Sequence, residues 1–314
     1  MSFRQIRIGT RASRLALWQA DWVKRELEYR YPETEVSLVK IKTTGDRILD
    51  VPLAQVGGKG LFVKEIEESM LRGEIDIAVH SMKDVPTEFP DGLGLHCITE
   101  REDPRDAMIS RDIKFADLPK GARIGTSALR RQAQLLKARP DLEMVVIRGN
   151  VETRIKKLDT ENLDAVILAA AGLKRLGFTE RVTEYLSTEL SIPAIGQGAL
   201  GIECRLDDEA VKETIAFFNH RDTAHAVRAE RALLWRCDGG CQVPIAAHGE
   251  VKGDELTLTG FISSVDGRRS VRGSITGAAP DGERLGIVLA ERLLKEGGHD
   301  ILSEVYRREG PREK

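Results

Sequence analysis

The sequence predicts an α/β protein, with parallel sheets covered by helices through most of the chain and a smaller α+β piece at the C-terminus. Three observations carry this. Short strand-like patterns alternate with amphipathic helical ones. The alternation breaks once, at the charged, proline-bearing run "EREDPRDA" (Glu100 to Ala107), and then restarts, as at a hinge or linker between domains. After "GGCQVPIA" the texture changes to apolar–polar alternation between Gly and Asp turns, the pattern of antiparallel strands.

In order, "QIRIGT" reads as a strand and "SRLALWQADWVKRELEYRY" as a helix with Ala16, Ala20, Val23 and Leu27 on one face. Ser13 stands where an N-cap is expected. "EVSLVKI" is the next strand, and a long loop carries "TTGDRILDVPLAQVGGKG". A helix from about Val63 to Arg72 follows, then the strand "IDIAVHS", a turn at "KDVP" and the strand "GLGLHCIT". Beyond the break come strand "ARIGT", helix "SALRRQAQLLKA" capped by Thr126 or Ser127, strand "EMVVIRG", helix "VETRIKKL" and strand "DAVILAA". "ALGIECR" and "DEAVKETIAFFNH" form another strand–helix unit able to return to the first domain. The helix "TAHAVRAERALLWRC" leads into the glycine–cysteine turn. After the antiparallel strands, "DGERLGIVLAERLLKEG" is a helix expected to pack through Leu285, Val288, Leu289 and Leu293. No internal sequence repeat is visible.

Composition narrows the function classes. A formal net charge of −2 argues against a general nucleic-acid binder, while 48 Lys and Arg leave room for a local basic cleft. "MSFRQIRIGTRASR" lacks the apolar core of a secretion signal, and "AVILAAAGL" is too short to span a bilayer. A cytoplasmic protein without membrane contact is expected. The four cysteines are too scattered for a disulfide scaffold, and Cys237 and Cys241 lack the partners of a metal site, so no metal is expected.

The turn "GTSALRRQ" offers free N–H groups at a helix start, two hydroxyls, and Arg130 and Arg131 within the first turn. Cations there oppose the helix dipole, a conflict that a bound carboxylate or phosphate relieves. "IGTRAS" repeats the design with Arg11 and Ser13, and "IRGNVETR" supplies Arg148 and Arg154. In open α/β sheets ligands bind at strand ends, so three such turns imply a polyanionic ligand. "AVHSMKDVP" sets Lys83 and Asp84 at another strand end, a carboxylate suited to handling protons or a developing cation. "VGGKG" lacks phosphate-loop spacing, and Gly57, Gly58, Lys59 and Gly60 read instead as a lid loop. "DGGCQVPIA" leaves one question open, a thiol on a flexible perch.

Taken together, "GTRAS", "VGGKGLFVKEIE", "DIAVHSMKDVP", "REDPRDA", "GTSALRRQAQL", "RGNVETR", "LAAAGLKRLG", "PAIGQGALGIECR" and "GGCQVPIAAH" resemble the porphobilinogen deaminase (hydroxymethylbilane synthase) family, in family order and over almost the whole chain. The resemblance implies two doubly wound lobes like type II periplasmic binding proteins plus a small α+β domain. The corresponding segments are 1–99 with 199–216, 105–192, and 221–314. It implies a dipyrromethane cofactor held through a thioether to Cys241, which answers the question of the perched thiol. It further implies head-to-tail condensation of four porphobilinogen molecules onto that cofactor, release of ammonia, and hydrolysis to hydroxymethylbilane by a monomer.

Asp84 matches the family's catalytic carboxylate. Lys83, Thr126, Ser127, Arg130, Arg131 and Arg154 match cofactor-binding positions, and Arg11, Ser13, Gln19, Arg148, Arg154 and Arg175 match positions that hold substrate and the growing oligopyrrole. Each pyrrole brings an acetate and a propionate, which guanidinium forks pair better than lysine does. Two departures stand out: Gln55 replaces a lysine of some bacterial members, and Ala128 stands where many have serine. Two rival classes fit less well. A two-lobed binding protein would not need the cysteine, and a nucleotide-dependent enzyme would need the missing phosphate-loop spacing.

Overall fold

The computed structural model describes residues 5–47, 63–239 and 243–309. They form two compact units: residues up to Glu102 with Ala199–Ala224, and Asp103–Gly198 with the residues from His225 onward. Gln55, the lid glycines Gly57, Gly58 and Gly60 with Lys59, and Cys241 lie outside the described residues.

The first unit begins with strand β1 (Gln5–Thr10), helix α1 (Arg14–Arg30) and strand β2 (Glu35–Lys40). Next come α2 (Thr44–Arg47), α3 (Lys64–Leu71), β3 (Ile77–Ser81) and β4 (Leu93–Ile98). The second unit holds β5 (Asp106–Ser110), β6 (Arg123–Gly125), α4 (Leu129–Ala138), β7 (Glu143–Val145) and α5 (Val151–Thr160). It continues with β8 (Ala165–Ala169), α6 (Ala170–Arg175) and β9 (Glu184–Tyr185). The chain then returns to the first unit with β10 (Leu200–Arg205) and α7 (Glu209–Ile215). Helix α8 (Arg221–Arg236) leads to the meander β11 (Ile245–Lys252), β12 (Glu255–Ser263) and β13 (Ser270–Ala278). Helices α9 (Gly282–Leu293) and α10 (His299–Glu309) close the chain.

The two larger sheets share one topology. Their strand orders are β2-β1-β3-β10-β4 and β7-β6-β8-β5-β9. In each, a strand arriving from the other unit runs antiparallel between two neighbours. The sheets are therefore mixed, not parallel throughout as the alternation alone implied.

The likeness extends to side chains. "RIGT" occurs at Arg7–Thr10 and again at Arg123–Thr126. Arg7 N–H donates to Asp76 Oδ2 at 2.8 Å and Arg123 N–H to Asp164 Oδ2 at 2.7 Å. Both aspartates return the bond, their N–H groups donating to Arg7 O and Arg123 O, each at 2.9 Å. A Cβ on Gly9 would meet Ile75 Cδ1 at 2.3 Å, and one on Gly125 would meet Leu163 Cδ1 at 2.7 Å. Each glycine thus lets its strand pack tightly against the residue before the clamping aspartate.

Amphipathic patterning places the cores. Ile6 and Ile8 of β1 bury against Ala20, Val23 and Leu27 of α1, each worth about 1.5–3 kcal/mol for a large aliphatic side chain. Ser13 caps α1 by accepting from Ala16 N–H at 3.3 Å. In the C-terminal layer Leu285, Leu289 and Leu293 of α9 are buried, but Val288 is 43% exposed and is not part of that packing face. α2, β5, α6, β9 and α10 have no counterpart in the sequence reading. No helix among the described residues is long and apolar enough to cross a membrane.

Candidate functional site

Strand β3 carries the chain to the carboxyl edge of the first sheet. The segment read as a turn there is a single 3-10 turn, Met82–Asp84, that buries Met82 and leaves Asp84 exposed. Asp84 lines a cavity with Arg11, Ser13, Gln19, His80 and Ser81. Buried Gln19 donates from Nε2 to Ser81 Oγ at 2.8 Å, fixing α1 against the end of β3. Four residues singled out in the sequence thus meet in one cavity: a carboxylate, a guanidinium, a hydroxyl and an amide. Lys83, half-buried, is the neighbour of Asp84 on the same turn.

A second group gathers at the strand ends of the second unit. Thr126 is buried, and its Oγ1 accepts from Ala128 N–H at 3.2 Å. The N-cap of α4 is Ala128, without a side-chain capping bond, so neither Thr126 nor Ser127 caps the helix as expected. Ser127 is exposed and instead accepts from Arg154 Nη1 at 3.0 Å. Arg154 lies within α5, whose N-cap Asn150 accepts from Thr153 N–H at 2.9 Å. Its Nε also donates to Gly149 O at 2.8 Å, across a residue with φ of +110°. Arg148 is half-buried on the loop between β7 and α5. Arg175, at the end of α6, donates to Gly198 O at 2.7 Å.

Arg130 and Arg131 differ from the other arginines. Both are buried, and both bind Asp106, which is fully buried at the start of β5. Arg130 spans both carboxylate oxygens, at 2.7 and 2.9 Å. Ser191 donates to Oδ2 at 2.7 Å and Gln197 Nε2 to Oδ1 at 2.9 Å. Burial by itself favours the protonated acid, yet the two guanidiniums hold Asp106 well below the usual carboxylate range. The sequence called for an anion at this cationic helix start, and the chain supplies one from within.

Sequence reasoning assigned no role to Asp106, Gln197, His80 or Glu203, although each falls inside a quoted segment. Glu203 accepts from or donates to His80 Nε2 at 2.8 Å, with both groups buried. The three described cysteines, Cys97, Cys204 and Cys237, are all buried free thiols. Burial pushes them up to about 12, 11 and 12 respectively. None of the three is an available nucleophile near neutral pH. No group of three or more His, Cys, Asp or Glu able to hold a metal occurs among the described residues.

The family described as "Porphobilinogen deaminase, dipyromethane cofactor binding domain" matches residues 6–213, and "Porphobilinogen deaminase, C-terminal domain" matches residues 224–295. Porphobilinogen deaminase of Geotalea uraniireducens strain Rf4 is 80% identical over 314 residues, spanning 100% of this chain and 99% of that one. The enzyme of Geobacter sulfurreducens is 79% identical with the same coverage. Among solved structures, the periplasmic aliphatic sulphonate binding protein SsuA from Escherichia coli aligns with 76% of this chain and 71% of its own, at 16% identity and a TM-score of 0.40. By family match and by full-length identity, the chain belongs to the porphobilinogen deaminase family.

Proposed function

We infer that the chain carries out its family's reaction: stepwise condensation of porphobilinogen onto a dipyrromethane cofactor, with release of ammonia and then of hydroxymethylbilane, in tetrapyrrole biosynthesis. It is a transferase. The observation that carries the assignment of roles is the cavity where Asp84 meets Arg11, Ser13 and Gln19.

Asp84 is the catalytic carboxylate. Exposed on a 3-10 turn, it accepts a hydrogen bond from a pyrrole N–H and offsets the positive charge that develops as ammonia leaves the substrate. Arg11 pairs with a substrate carboxylate and Ser13 donates beside it, while Gln19, tied to Ser81, keeps helix and strand end in register. Lys83 adds positive charge next to the turn.

The donor set of the second unit suits the cofactor's carboxylates. Ser127 and Arg154 present a hydroxyl and a guanidinium together on an exposed surface, the chemistry that a carboxylate takes up. Arg148 and Arg175 extend that set toward the growing chain, and Thr126 shapes the turn. Arg130 and Arg131, committed to Asp106, act on the cofactor by holding the start of α4 in place and by the single net positive charge of the trio. When bound through Cys241, the dipyrromethane would supply the free pyrrole end to which the first substrate is joined, each later one adding to the end of the chain so formed. The enzyme works as a cytoplasmic monomer.

The test is Asp84→Asn. Turnover should fall about 10²–10³-fold in a protein that unfolds like the parent, as for loss of a central electrostatic group. Near-normal turnover in the folded variant would remove Asp84 from the mechanism.

A further inference from the structure

Behind the Asp84 cavity the first unit buries three titratable groups with no part in the roles above. His80 on β3 and Glu203 on β10 face each other at 2.8 Å, with side chains 5% and 1% exposed. Glu67 of α3 reaches the same layer and is 7% exposed. Oε1 of Glu67 and Oε1 of Glu203 are buried and have no hydrogen-bond partner among the described residues. Two ionised carboxyls buried close together repel each other, and burial itself favours the neutral acid. The least costly arrangement leaves a proton on one of them. Burial first, and then the Glu203 carboxylate, push Glu67 up to about 7, against the opposing pull of His80.

Among the described residues, the charges on the neighbouring strands are paired elsewhere, and Lys64 of α3 is exposed. Arg205 of β10 donates to Met70 O and Ile75 O and pairs with Asp76 and Asp208. Arg7 of β1 is paired with Asp76. On α3 itself Glu65 accepts from Thr44, and Glu68 adds only repulsion. His80 also lines the cavity with Asp84, and its Nε2 meets Glu203 Oε2 at 2.8 Å, so one residue borders both the cavity and the buried carboxyl.

The second unit offers a contrast. Its own returning strand, β5, buries Asp106, but two guanidiniums hold that carboxylate permanently ionised. In the first unit the surroundings of the buried carboxylate can change charge near neutrality.

We propose that Glu67, His80 and Glu203 form a proton-holding cluster that sets the charge behind Asp84. As pH rises Glu67 gives its proton to solvent, and the negative charge left behind stabilises the cation formed in the cavity when ammonia leaves. Glu67 is a positioning residue acting through the field of the cavity, and the proposal rests on the reading of Asp84 as the catalytic carboxylate.

The experiment measures kcat and KM against pH for the full-length holoenzyme and for Glu67→Gln, with urea stability followed over the same range. Glu67→Gln should match the parent in kcat on the acid side. On the alkaline side it should fall behind by about three- to tenfold, the effect of one partly screened charge, with KM little changed. Superimposable kcat profiles would overturn the proposal. The stability arm needs no turnover. A carboxyl raised from 4.5 to about 7 keeps a proton that the unfolded chain has already released, so the parent should lose stability as pH rises through that window and Glu67→Gln should not. Equal slopes would overturn the cluster whatever Asp84 does. Near-normal turnover in Asp84→Asn, with the slopes still different, would instead sink the reading of Asp84 and the charge-setting role that depends on it.

Discussion

Arg131 donates through both Nε and Nη2 to a single oxygen of Asp106, Oδ1, at 2.9 and 2.7 Å. Its remaining Nη1 goes to Ile167 O at 3.0 Å, so the guanidinium is nearly saturated by its own unit. Arg130 adds Ile192 O and Gln197 Oε1, both at 3.0 Å. The carboxylate thereby ties the start of α4 to β5 and to the segment around Ser191 and Gln197. Those are the stretches by which the chain enters and leaves the second unit.

Asp106→Asn should therefore destabilise the protein strongly. It leaves two buried guanidiniums facing a neutral amide, a loss of about 3–5 kcal/mol for a broken buried charge network. The pH dependence has a definite sign. Asp106 is held below its unfolded value, so its contribution is complete above about pH 4 and is lost as the pH falls further. Urea midpoints measured from neutral pH down to acid should fall more steeply for the parent than for Asp106→Asn. Parallel curves would show that Asp106 does not stabilise the fold through its charge.

Attachment of the cofactor should depend on Cys241 alone. Cys97 and Cys204 are buried and are pushed up to about 12 and 11 by burial, so neither presents a thiolate to a pyrrole. Cys241→Ser should give the mass of the bare chain under denaturing conditions. Cys97→Ala and Cys204→Ala should keep the dipyrromethane adduct and show only the modest stability loss of a trimmed core. An adduct on Cys241→Ser would overturn the assignment.

Much of this was legible in the sequence because strand ends announce themselves. Arg11, Ser13 and Asp84 stand out as polar residues just past apolar runs, Gln19 comes only from the family resemblance, and the four meet in one cavity. Burial was not legible. Arg130 and Arg131 read as cations awaiting a ligand because nothing in "GTSALRRQ" reveals Asp106, whose contacts with them are 24 and 25 residues away in sequence. The crossing strands β5 and β10 each run antiparallel to the neighbours in their own sheet, a fact that depends on the chain crossing twice between units and leaves no local trace. The "RIGT" repeat is only four residues long and becomes a repeat only when the Arg–Asp clamps and sheet orders are set side by side.

The arginines should act at different stages of chain growth. A carboxylate left unpaired in a partly dry site is costly, so each added pyrrole needs its own cation. Arg131 is saturated by Asp106 and works by geometry, whereas Arg11 and Arg148 are half-buried at strand ends. Arg131→Gln should disturb the turn bearing Thr126 and Ser127 and yield mostly apoprotein. Arg131→Lys should fail likewise, because an ammonium keeps the charge but not the fork. Arg11→Gln and Arg148→Gln should retain the dipyrromethane and stall during elongation. Limiting porphobilinogen added to each variant, followed by intact-protein mass, reads the ladder of adducts directly. Full cofactor loading in Arg131→Lys would mean that charge suffices there. Identical ladders across the three Gln variants, with Arg131→Lys like the parent, would mean that the arginines act only as a diffuse positive field, and the staged model would fail.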